Sequence, residues 1–539
     1  MKTKFSPTNL VGDKNKKVLQ EISSLYIKGK DLESAKRKAA KKFGMATMPK
    51  KFEVLDYLKR QNIELSIKEK IHSMRSLSGI VSVTVLTKPY PCHFRCAYCP
   101  KEKGMPQSYL SSEPAAARAK MLNFDPYLQV KKRLKVLEIG GHPTDKIELI
   151  ILGGSFSLYP NKYRQWFLKC CFDAANNKKS KNLKEAQKIN ETTQRRIIGV
   201  TIETRPDLID EQEIKFLRYL GVTRVEIGAQ NYFDFILKKN HRGHKKSDLA
   251  KATYLLKEAG FKVTYHLMLN LPGSNPFLDW LSCLLFFYNP RFRPDQVKIY
   301  PLMVVKGSLV YEWFKAGLPA NASVARRAGK FKTYDTETLI RTLAAIKRYV
   351  PNYVRIVRII RDIPAKNIES GSKFSNLRED VQKFMNEKGI KCNCVRCREI
   401  KNEIIENPKL LVKKYRASKG IEYFLSIVDK KKNKLGAFLR LRILFYLKDK
   451  EKPIFRVLKK SAIIREIHTY GRMLSFGRKS VLASQHQGFG KILIKEAEKI
   501  AKKQGAKDMA VIAGIGAREY FRKFGYELRD DYMIKKIKI

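Results

Sequence analysis

Long apolar runs and a leading apolar segment are both missing from this chain of 539 residues. The longest apolar runs, such as 281–288, fall far short of the roughly 20 residues that span a bilayer. The first residues, 1–7, lack the apolar core of a secretory signal. We therefore expect a cytoplasmic protein with no membrane partner.

Acidic residues are scarce as well, with 51 aspartates and glutamates against 110 lysines and arginines, for a net charge of +59. Such an excess attracts polyanions, and nucleic acid is the obvious one. A lysine-rich compositional bias explains only part of it, because acidic residues do not rise to match the lysines. Residues 1–75 hold 19 basic and 8 acidic residues. Their pattern predicts basic helices at 14–28, 32–43 and 51–60 that bind RNA, a solvated surface being the alternative.

The cysteines do not form a disulfide framework, since six of the nine fall into two tight clusters. The first cluster, Cys92, Cys96 and Cys99, has the spacing C-x3-C-x2-C, with Tyr98 before the last cysteine. Three thiolates on one loop can hold three irons of a [4Fe–4S] cube and leave the fourth iron open. Free cysteines or a structural zinc are the alternatives, but zinc sites usually have a second C-x2-C half. The loop predicts the cluster of a radical S-adenosylmethionine (SAM) enzyme.

Residues 76–365 alternate strands with helices, which indicates parallel βα units and a partial or full β/α barrel. The predicted strands are Ile80–Leu86, Lys146–Leu152, Arg196–Glu203, Arg224–Gly228, Lys262–Met268 and Gln296–Tyr300. Functional groups in such barrels collect at the carboxyl ends of strands. The cysteine loop, Gly153, Gly154, Glu203 and Gln230 lie at such ends, which predicts one shared site. The lysine-rich stretch 177–196 is interpreted as an exposed insertion.

The second cysteine cluster lies in a connector, 366–408. Cys392, Cys394 and Cys397 have the spacing C-x-C-x2-C, which is typical of a zinc knuckle. A fourth ligand must come from elsewhere, and Cys283 or a histidine could supply it. Reduced cysteines without metal are the alternative.

Residues 409–539 change to extended segments, predicted at 422–428, 434–445 and 462–470, followed by a glycine turn. The turn, Gln485–Gly490, opens a helix at 491–503, and the backbone N–H groups of such a turn bind phosphate. Together with the stretch 518–526, it resembles the pyrophosphate cradle of GNAT acetyltransferases, which bind coenzyme A. An ordinary α/β domain is the alternative.

The order of these parts resembles the elongator protein 3 family. The matching stretches are Cys96–Pro100, Gln107–Tyr109, Gly153–Phe156, Thr201–Asp207, Glu226–Gln230, Arg465–His468, Gln485–Gly490 and Tyr520–Lys523. The resemblance implies an α/β fold in which a partial, TIM-like radical SAM barrel is followed by a GNAT domain, behind a basic helical N-terminal region.

The resemblance also implies a reaction. The family adds a carboxymethyl group to carbon 5 of the wobble uridine of tRNA, with the acetyl unit taken from acetyl-coenzyme A and the radical from SAM. An electron donor for the cluster is then a required partner, and a homodimer is one option for the assembly. The alternative function is a protein lysine acetyltransferase whose barrel is only structural.

Individual roles follow from the resemblance. Cys92, Cys96 and Cys99 hold the cluster, and Gly153, Gly154, Glu203 and Gln230 contact SAM. The residues implied to contact acetyl-coenzyme A are Lys146, Glu466, Ile467, His468, Thr469, Gly488, Phe489, Gly490, Lys491, Tyr520 and Phe521. Many family members have two adjacent tyrosines where this chain has Tyr520 and Phe521. A general-acid role must then fall to Tyr520, to water or to no group at all.

Overall fold

The computed structural model of the chain describes residues 13–45, 47–63, 79–317, 331–374, 376–401, 403, 405–444, 453–471 and 488–537, without the side chain at position 14. Of the predicted features, residues 1–12 and 64–75 of the basic region and residues 485–487 of the glycine turn lie outside this part. No helix in the described ranges has the length and apolarity needed to cross a membrane.

Three helices form the N-terminal region: α1 (Asp13–Ile27), α2 (Leu32–Lys42) and α3 (Lys51–Arg60). They share a small apolar core that includes Val18, Ile22, Ala35, Val54 and Leu58. The side chain of Asp31 accepts a hydrogen bond from the Ser34 N–H and so caps α2. The predicted helices are confirmed.

Seven parallel strands form the first sheet, in sequential order. They are β1 (Ile80–Leu86), β2 (Lys146–Leu152), β3 (Arg196–Thr204), β4 (Arg224–Gln230), β5 (Lys262–Leu269), β6 (Gln296–Pro301) and β7 (Arg355–Arg358). Along each strand, every second side chain points to the outer face of the sheet. Val83 of β1, Leu149 of β2 and Ile202 of β3 are fully buried in the apolar core on that face. In the described part, β1 and β7 remain unpaired edges, so the barrel is partial. The predicted fold class is confirmed.

Helices follow most of these strands. They are α4 (Pro114–Lys120), α5 (Pro126–Ile139), α6 (Asn161–Asn176), α7 (Leu183–Asn190), α8 (Glu211–Tyr219), α9 (Asp234–Lys239), α10 (Lys246–Glu258), α11 (Pro276–Tyr288), α12 (Leu309–Lys315) and α13 (Thr336–Arg348). The prediction that 177–196 is an exposed insertion is wrong for its centre. Asn182 caps α7. Leu183, Ala186 and Asn190, spaced at i, i+3 and i+7, form the buried face of this helix.

The connector and the second sheet complete the chain. Helices α14 (Leu377–Glu387) and α15 (Val395–Arg398) lead into β8 (Pro408–Ala417), β9 (Gly420–Asp429), β10 (Lys434–Ile443), β11 (Ser461–Thr469), α16 (Phe489–Lys503), β12 (Asp508–Val511), α17 (Arg518–Arg522), β13 (Glu527–Arg529) and β14 (Tyr532–Lys536). The strand order is β13-β14-β12-β11-β10-β9-β8. All neighbours are antiparallel except β11 and β12, which are parallel.

A buried network of ion pairs joins the second sheet to the amino ends of the barrel strands. Arg465 of β11 contacts Asp295, just before β6, at 3.0 Å and Glu422 of β9 at 2.9 Å. Arg442 of β10 pairs with Glu258 at the end of α10. Because these charges are fully desolvated, each depends on its partners. The network fixes the second sheet against the end of the barrel opposite the cysteine loop.

Candidate cofactor sites

One cavity of about 260 Å³ lies at the carboxyl ends of the barrel strands. Every residue predicted to hold the cluster or SAM lines it: Cys92, Cys96, Cys99, Gly153, Gly154, Glu203 and Gln230. Strands β1 to β4 deliver these residues, because in a parallel sheet the carboxyl ends of all strands meet at one edge. The structure thus brings together residues that lie as far as 138 positions apart in the sequence.

The cysteine loop is held by backbone hydrogen bonds to other βα loops. The Ala97 N–H donates to the carbonyl of Asn240 at 3.0 Å, and the Lys101 N–H donates to the carbonyl of Gly307 at 3.0 Å. The Cys99 N–H donates to the Cys96 carbonyl at 3.1 Å, which closes a tight turn. These bonds fix the backbone of the loop that carries the three thiols.

Two arginines, which the sequence did not single out by themselves, surround Cys96. Arg242 Nη1 lies 3.3 Å and Arg205 Nη1 lies 3.6 Å from Cys96 Sγ. Burial alone would raise the pKa of this thiol, but the two guanidinium groups outweigh burial and lower the pKa. The Arg205 guanidinium also stacks on the Phe94 ring at 3.5 Å. The thiolate is thus favoured at Cys96, whereas burial raises the pKa of Cys99 to about 11. The two guanidinium groups can offset negative charge on a thiolate-bound cluster.

Gly153 and Gly154 are required by the backbone. Gly153 has φ of +135°, and a Cβ there would lie 1.8 Å from Thr87 Oγ1. Gly154 has φ of +86°. A Cβ on Gly154 would lie 3.2 Å from the Gln107 carbonyl, so side chains would be strained at both positions. The glycines let Thr87 and Gln107 pack closely against this backbone at the edge of the cavity, and contact with SAM stays a prediction.

The floor of the cavity is ionic. Glu203 accepts a hydrogen bond from Tyr109 Oη at 2.6 Å, and Lys298 Nζ lies 4.0 Å from Glu203. Lys298 also pairs directly with Glu226, which lies 2.8 Å from His266 Nε2. Glu203, Glu226 and His266 lie close enough together to hold a metal ion, but the Lys298 ammonium already supplies the cation. Burial opposes ionisation of Glu226, and Lys298 overcomes it and lowers the pKa of Glu226.

The polar character continues through the barrel. Arg224 contacts Glu148 at 2.8 Å and Gln296 at 3.4 Å inside the sheet. At the amino end of β5, Lys262 lies 3.6 Å from Glu466 of β11. Barrels of this kind usually fill the interior with branched apolar side chains. Here a column of charged and polar groups joins the cavity to the second sheet.

The two predicted cofactor sites lie at opposite ends of this column. Met268, near the carboxyl end of β5, lines the cavity, whereas Lys262 at its amino end contacts Glu466. Six residues of extended strand span about 20 Å. The strand predicted to contact acetyl-coenzyme A thus meets the barrel about one strand length from the cysteines.

The donor set of the cavity fits a cubane cluster. Three cysteine thiols face it, and no fourth cysteine lines it in the described part of the chain. Three thiolates leave one iron of a [4Fe–4S] cube open for another ligand. The guanidinium groups of Arg205 and Arg242 supply the compensating positive charge.

The connector cysteines are arranged differently. The Sγ atoms of Cys392, Cys394 and Cys397 lie within 4.8 Å of one another, close enough to bind a single ion, whereas the cysteines of the first loop form no such group. Cys394 is fully buried. Cys283, suggested above as a fourth ligand, lies in α11 outside this group. Zinc at this triplet stays a prediction.

In the second sheet, β11 extends beyond the end of its parallel neighbour, β12. The register of β11 with β12 ends at Ile464 and Val511, while β11 continues to Thr469 along β10. Among the residues that the structure describes, no strand pairs with the β12 side of residues 466–469, which lie next to the start of α16. Splayed parallel strands of this kind form a slot in which backbone groups can bond an extended ligand.

The start of α16 carries the predicted phosphate cradle. Gly488 has φ of +74° and is followed by a helix of 15 residues, whose first N–H groups have no partner within the helix and so can bind an anion. A Cβ on Gly490 would lie 2.4 Å from Tyr520 Oη and 3.9 Å from Ile467 Cδ1. Gly490, Tyr520 and Ile467 thus meet beside the slot, and Lys491 is exposed on the first turn.

The other predicted acetyl-coenzyme A residues take up different positions. Phe489 and Phe521 are both 3% exposed and pack in the core. Glu466 faces the barrel, where Arg440 Nε donates to it at 2.8 Å. His468 stacks with Phe438 in the same region. Lys146 lies at the amino end of β2, next to Arg196 of β3, and residue 516 of the second domain packs against Arg196.

Several cavity residues were missed by reasoning from the sequence alone. They are Tyr109, Arg205, Glu226, Arg242, His266 and Lys298. Glu226, His266 and Lys298 share the period-2 face of β4, β5 and β6 that points into the barrel. Charged residues on one face of otherwise apolar strands were the sequence pattern that could have identified these three residues.

Comparison with known proteins agrees with this geometry. The model of the radical SAM superfamily matches residues 90–277, and that of the radical SAM C-terminal domain matches residues 294–387. The fold and the cavity thus define a radical SAM protein with an added mixed sheet.

The relatives cover the whole of this architecture. The tRNA uridine(34) acetyltransferase of Methanocaldococcus infernus is 42% identical, over 96% of this chain and 98% of that protein. Elongator complex protein 3 of Homo sapiens is 35% identical, over 99% of this chain and 98% of that protein. The structure of Methanocaldococcus infernus Elp3 with an N-terminal deletion (1–46) is 43% identical with a TM-score of 0.73, and the match covers 85% of this chain and 100% of that chain. The chain belongs to the elongator protein 3 family.

Proposed function

We propose that this chain is a tRNA-modifying enzyme that uses SAM and acetyl-coenzyme A to install a carboxymethyl group on carbon 5 of the wobble uridine. The observation that carries the proposal is the meeting of Cys92, Cys96 and Cys99 with Gly153 and Gly154 at one cavity, on the same chain as a splayed sheet with a glycine-opened helix. Relatives named tRNA uridine(34) acetyltransferase support it.

The chain's own residues would bind, orient and charge-balance the reactants. Cys92, Cys96 and Cys99 would hold the cluster, which supplies the electron that cleaves SAM and so starts radical chemistry. Carbon 5 of uracil is a poor nucleophile, so radical chemistry suits this position. Arg205 and Arg242 offset the negative charge of the thiolates.

At the second site, α16 would bind the pyrophosphate of coenzyme A, and the open edge of β11 would bind the pantetheine arm. Tyr520 lies beside the helix start. Partial burial raises the pKa of Tyr520. A tyrosine hydroxyl is protonated at neutral pH without any such shift, so Tyr520 can donate a proton to a leaving thiolate. Phe521 is buried and has no hydroxyl, which leaves Tyr520 as the candidate acid.

The acceptor would be tRNA, drawn by the net charge of +59 and by the basic N-terminal helices. On α2 and α3, Lys41, Lys42, Lys59 and Arg60 are exposed. Because neutralised phosphates release counterions, affinity should fall steeply with salt. A flat response between about 50 and about 200 mM salt would argue against tRNA.

The decisive experiment uses full-length protein reconstituted anaerobically with iron and sulfide. Incubation with SAM, a reductant, carbon-13-labelled acetyl-coenzyme A and tRNA should give labelled 5-carboxymethyluridine in nucleoside mass spectrometry. Omission of SAM should abolish the product. Unmodified uridine together with acetylated lysine in a basic peptide would instead establish a protein acetyltransferase.

We also propose zinc at Cys392, Cys394 and Cys397. Elemental analysis of purified protein should find about one zinc per chain, because this triplet suits a single tetrahedral ion. Cys394→Ser should lose that zinc while the iron content stays unchanged. Loss of iron, with zinc retained, would reverse the assignment of the two triplets.

A further inference from the structure

A row of aromatic rings leads from the cavity to the outside of the barrel. The row consists of Tyr90, Tyr159, Tyr163 and Trp166, with ring centroids 4.8, 5.2 and 5.6 Å apart in that order. Tyr90 and Tyr159 line the cavity, and Trp166 lies on the outer surface of α6. None of these four rings has been given a role in holding the cluster, SAM or acetyl-coenzyme A.

Hydrogen bonds hold the middle of the row rigidly. Tyr159 Oη donates to the Lys88 carbonyl at 2.7 Å and accepts from Thr87 Oγ1 at 2.8 Å. Tyr163 Oη accepts from the Lys88 N–H at 3.1 Å. These bonds tie the segment before the cysteine loop to α6, so the rings are preorganised at no cost to a ligand.

The ends of the row are not needed for the core. Tyr90 is 37% exposed and Trp166 is 47% exposed, while Tyr159 is buried between its neighbours. Lys88 Nζ lies 5.1 Å from the Tyr163 ring centroid, and Lys162 is exposed on the same helix. Two accessible rings with lysines beside them form a surface that is at once aromatic and positive.

We propose that the aromatic row stacks unpaired nucleotides of the RNA that flank the target base as that base enters the cavity. This inference rests on the proposed function. Single-stranded nucleotides are recognised by stacking of bases on aromatic faces, with basic side chains along the phosphates. Tyr90 lies two residues before Cys92, so a base stacked on it stands at the mouth of the cavity.

The test measures binding of an anticodon stem-loop RNA to the full-length reconstituted protein by fluorescence anisotropy. Trp166→Ala should weaken affinity by between about fivefold and about a hundredfold, the range of one stacked base. Trp166→Phe should keep most of the affinity, because it keeps a ring. Phe277→Ala removes an exposed aromatic on α11 that is not part of the aromatic row and should leave affinity unchanged.

Salt dependence separates stacking from charge. Trp166→Ala should leave the slope of log affinity against log salt as in the wild type, whereas Lys88→Ala should lower the slope by about 0.7. RNA should also quench wild-type tryptophan emission more than it quenches emission of Trp166→Phe. A Tyr90→Ala variant should raise KM for tRNA with little change in kcat.

The outcomes are distinguishable. If Trp166→Ala binds RNA like the wild type while wild-type protein still modifies tRNA, the stacking proposal fails and the proposed function stands. If Trp166→Ala slows reduction of the cluster by a protein electron donor without changing RNA affinity, the surface is a redox docking site and the proposal is overturned. If wild-type protein neither binds nor modifies tRNA, the proposed function fails, and the stacking proposal that rests on it fails as well.

Discussion

The two ends of the barrel differ in character, although the same strands form both. At the carboxyl ends, loops bring cysteines, glycines and arginines around an open cavity. At the amino ends, Asp295 and its partners Arg465 and Glu422 are fully buried in an ion-pair network that joins the second sheet. One end is shaped to admit ligands and the other is closed by protein.

This difference follows the usual division of β/α barrels, in which the carboxyl end is catalytic and the amino end gives stability. Here the stabilising end also carries the second sheet. The polar column through Arg224, Glu226 and Lys298 connects the two ends. Substitutions at the cavity should therefore affect chemistry first, and substitutions at the junction should affect folding first.

The largest effect is expected at the cavity. Cys96→Ser should reduce SAM cleavage and uridine modification to background, because one iron loses its ligand. The melting temperature of the apoprotein should stay within about 2 °C of the wild type, since serine is nearly isosteric. Cys170→Ser, at a half-buried cysteine of α6, serves as the matched control and should keep full activity. Activity in the Cys96 variant would rule out the radical mechanism.

The junction should respond in stability. Arg465→Met leaves the Asp295 and Glu422 carboxylates buried without their main partner, which should cost about 3–5 kcal/mol of unfolding free energy. Chemical denaturation measures this value. Arg341→Met, which breaks an exposed pair with Glu337 on α13, should cost no more than about 1 kcal/mol. Equal costs for the two variants would mean that the junction network is not what joins the domains.

The junction should also be sensitive to acid. Burial, reinforced by the positive charge of Arg355, lowers the pKa of His468 to about 4. An unfolded histidine titrates near about 6.5, so between these pH values the unfolded chain binds the proton and the folded chain does not. Stability should be complete above about pH 6.5 and should fall by up to about 3 kcal/mol as pH drops to about 4. His468→Gln should flatten that part of the stability profile.

Carboxylates act in a lower window, which separates the two effects. Burial opposes ionisation of Glu466, but Lys262 and Arg440 lower the pKa of Glu466 to about 2. Its contribution is present above about pH 4.5 and is lost only below that value. A profile in which His468→Gln changes only the part below about pH 4.5 would contradict the assignment to His468.

The smallest effect is expected at the start of α16. Gly490→Ala would place a Cβ 2.4 Å from Tyr520 Oη, so the tyrosine must move. Acetyl-coenzyme A should bind about tenfold more weakly, equivalent to about 1.4 kcal/mol, as measured by calorimetry. In the double variant with Tyr520→Phe the nearest remaining ring atom, Cζ, lies 3.7 Å away, so affinity should recover. Unchanged binding in Gly490→Ala would place the coenzyme elsewhere.

Much of the fold could be predicted from local pattern. The six strands from β1 to β6 were predicted because apolar runs alternate with helices, and each begins where the sequence indicated. Strand β7 has four residues and β8 is almost wholly exposed, so neither shows a buried apolar run, and both were missed. Helix α7 was missed because its polar face dominates the composition of 177–196.

The candidate site was predictable where residues carry their chemistry locally. The spacing of Cys92, Cys96 and Cys99 names a cluster without any knowledge of the fold. Arg242 lies 146 positions after Cys96, and Lys298 lies 72 after Glu226, so nothing near either residue in the sequence reveals its partner. The exclusion of Cys283 from the connector triplet likewise depended on where α11 packs.

The sequence by itself determined the three cysteines of the cavity, the glycine-opened helix and the excess of positive charge, because each is a property of residue type and short spacing. Only the tertiary structure decided which charges meet, which end of the barrel each site occupies and which aromatic rings line up beside Cys92. The physical reason is that ion pairing and ring stacking act over a few ångströms in space. Chain separation carries no information about such distances until the strands have been placed side by side.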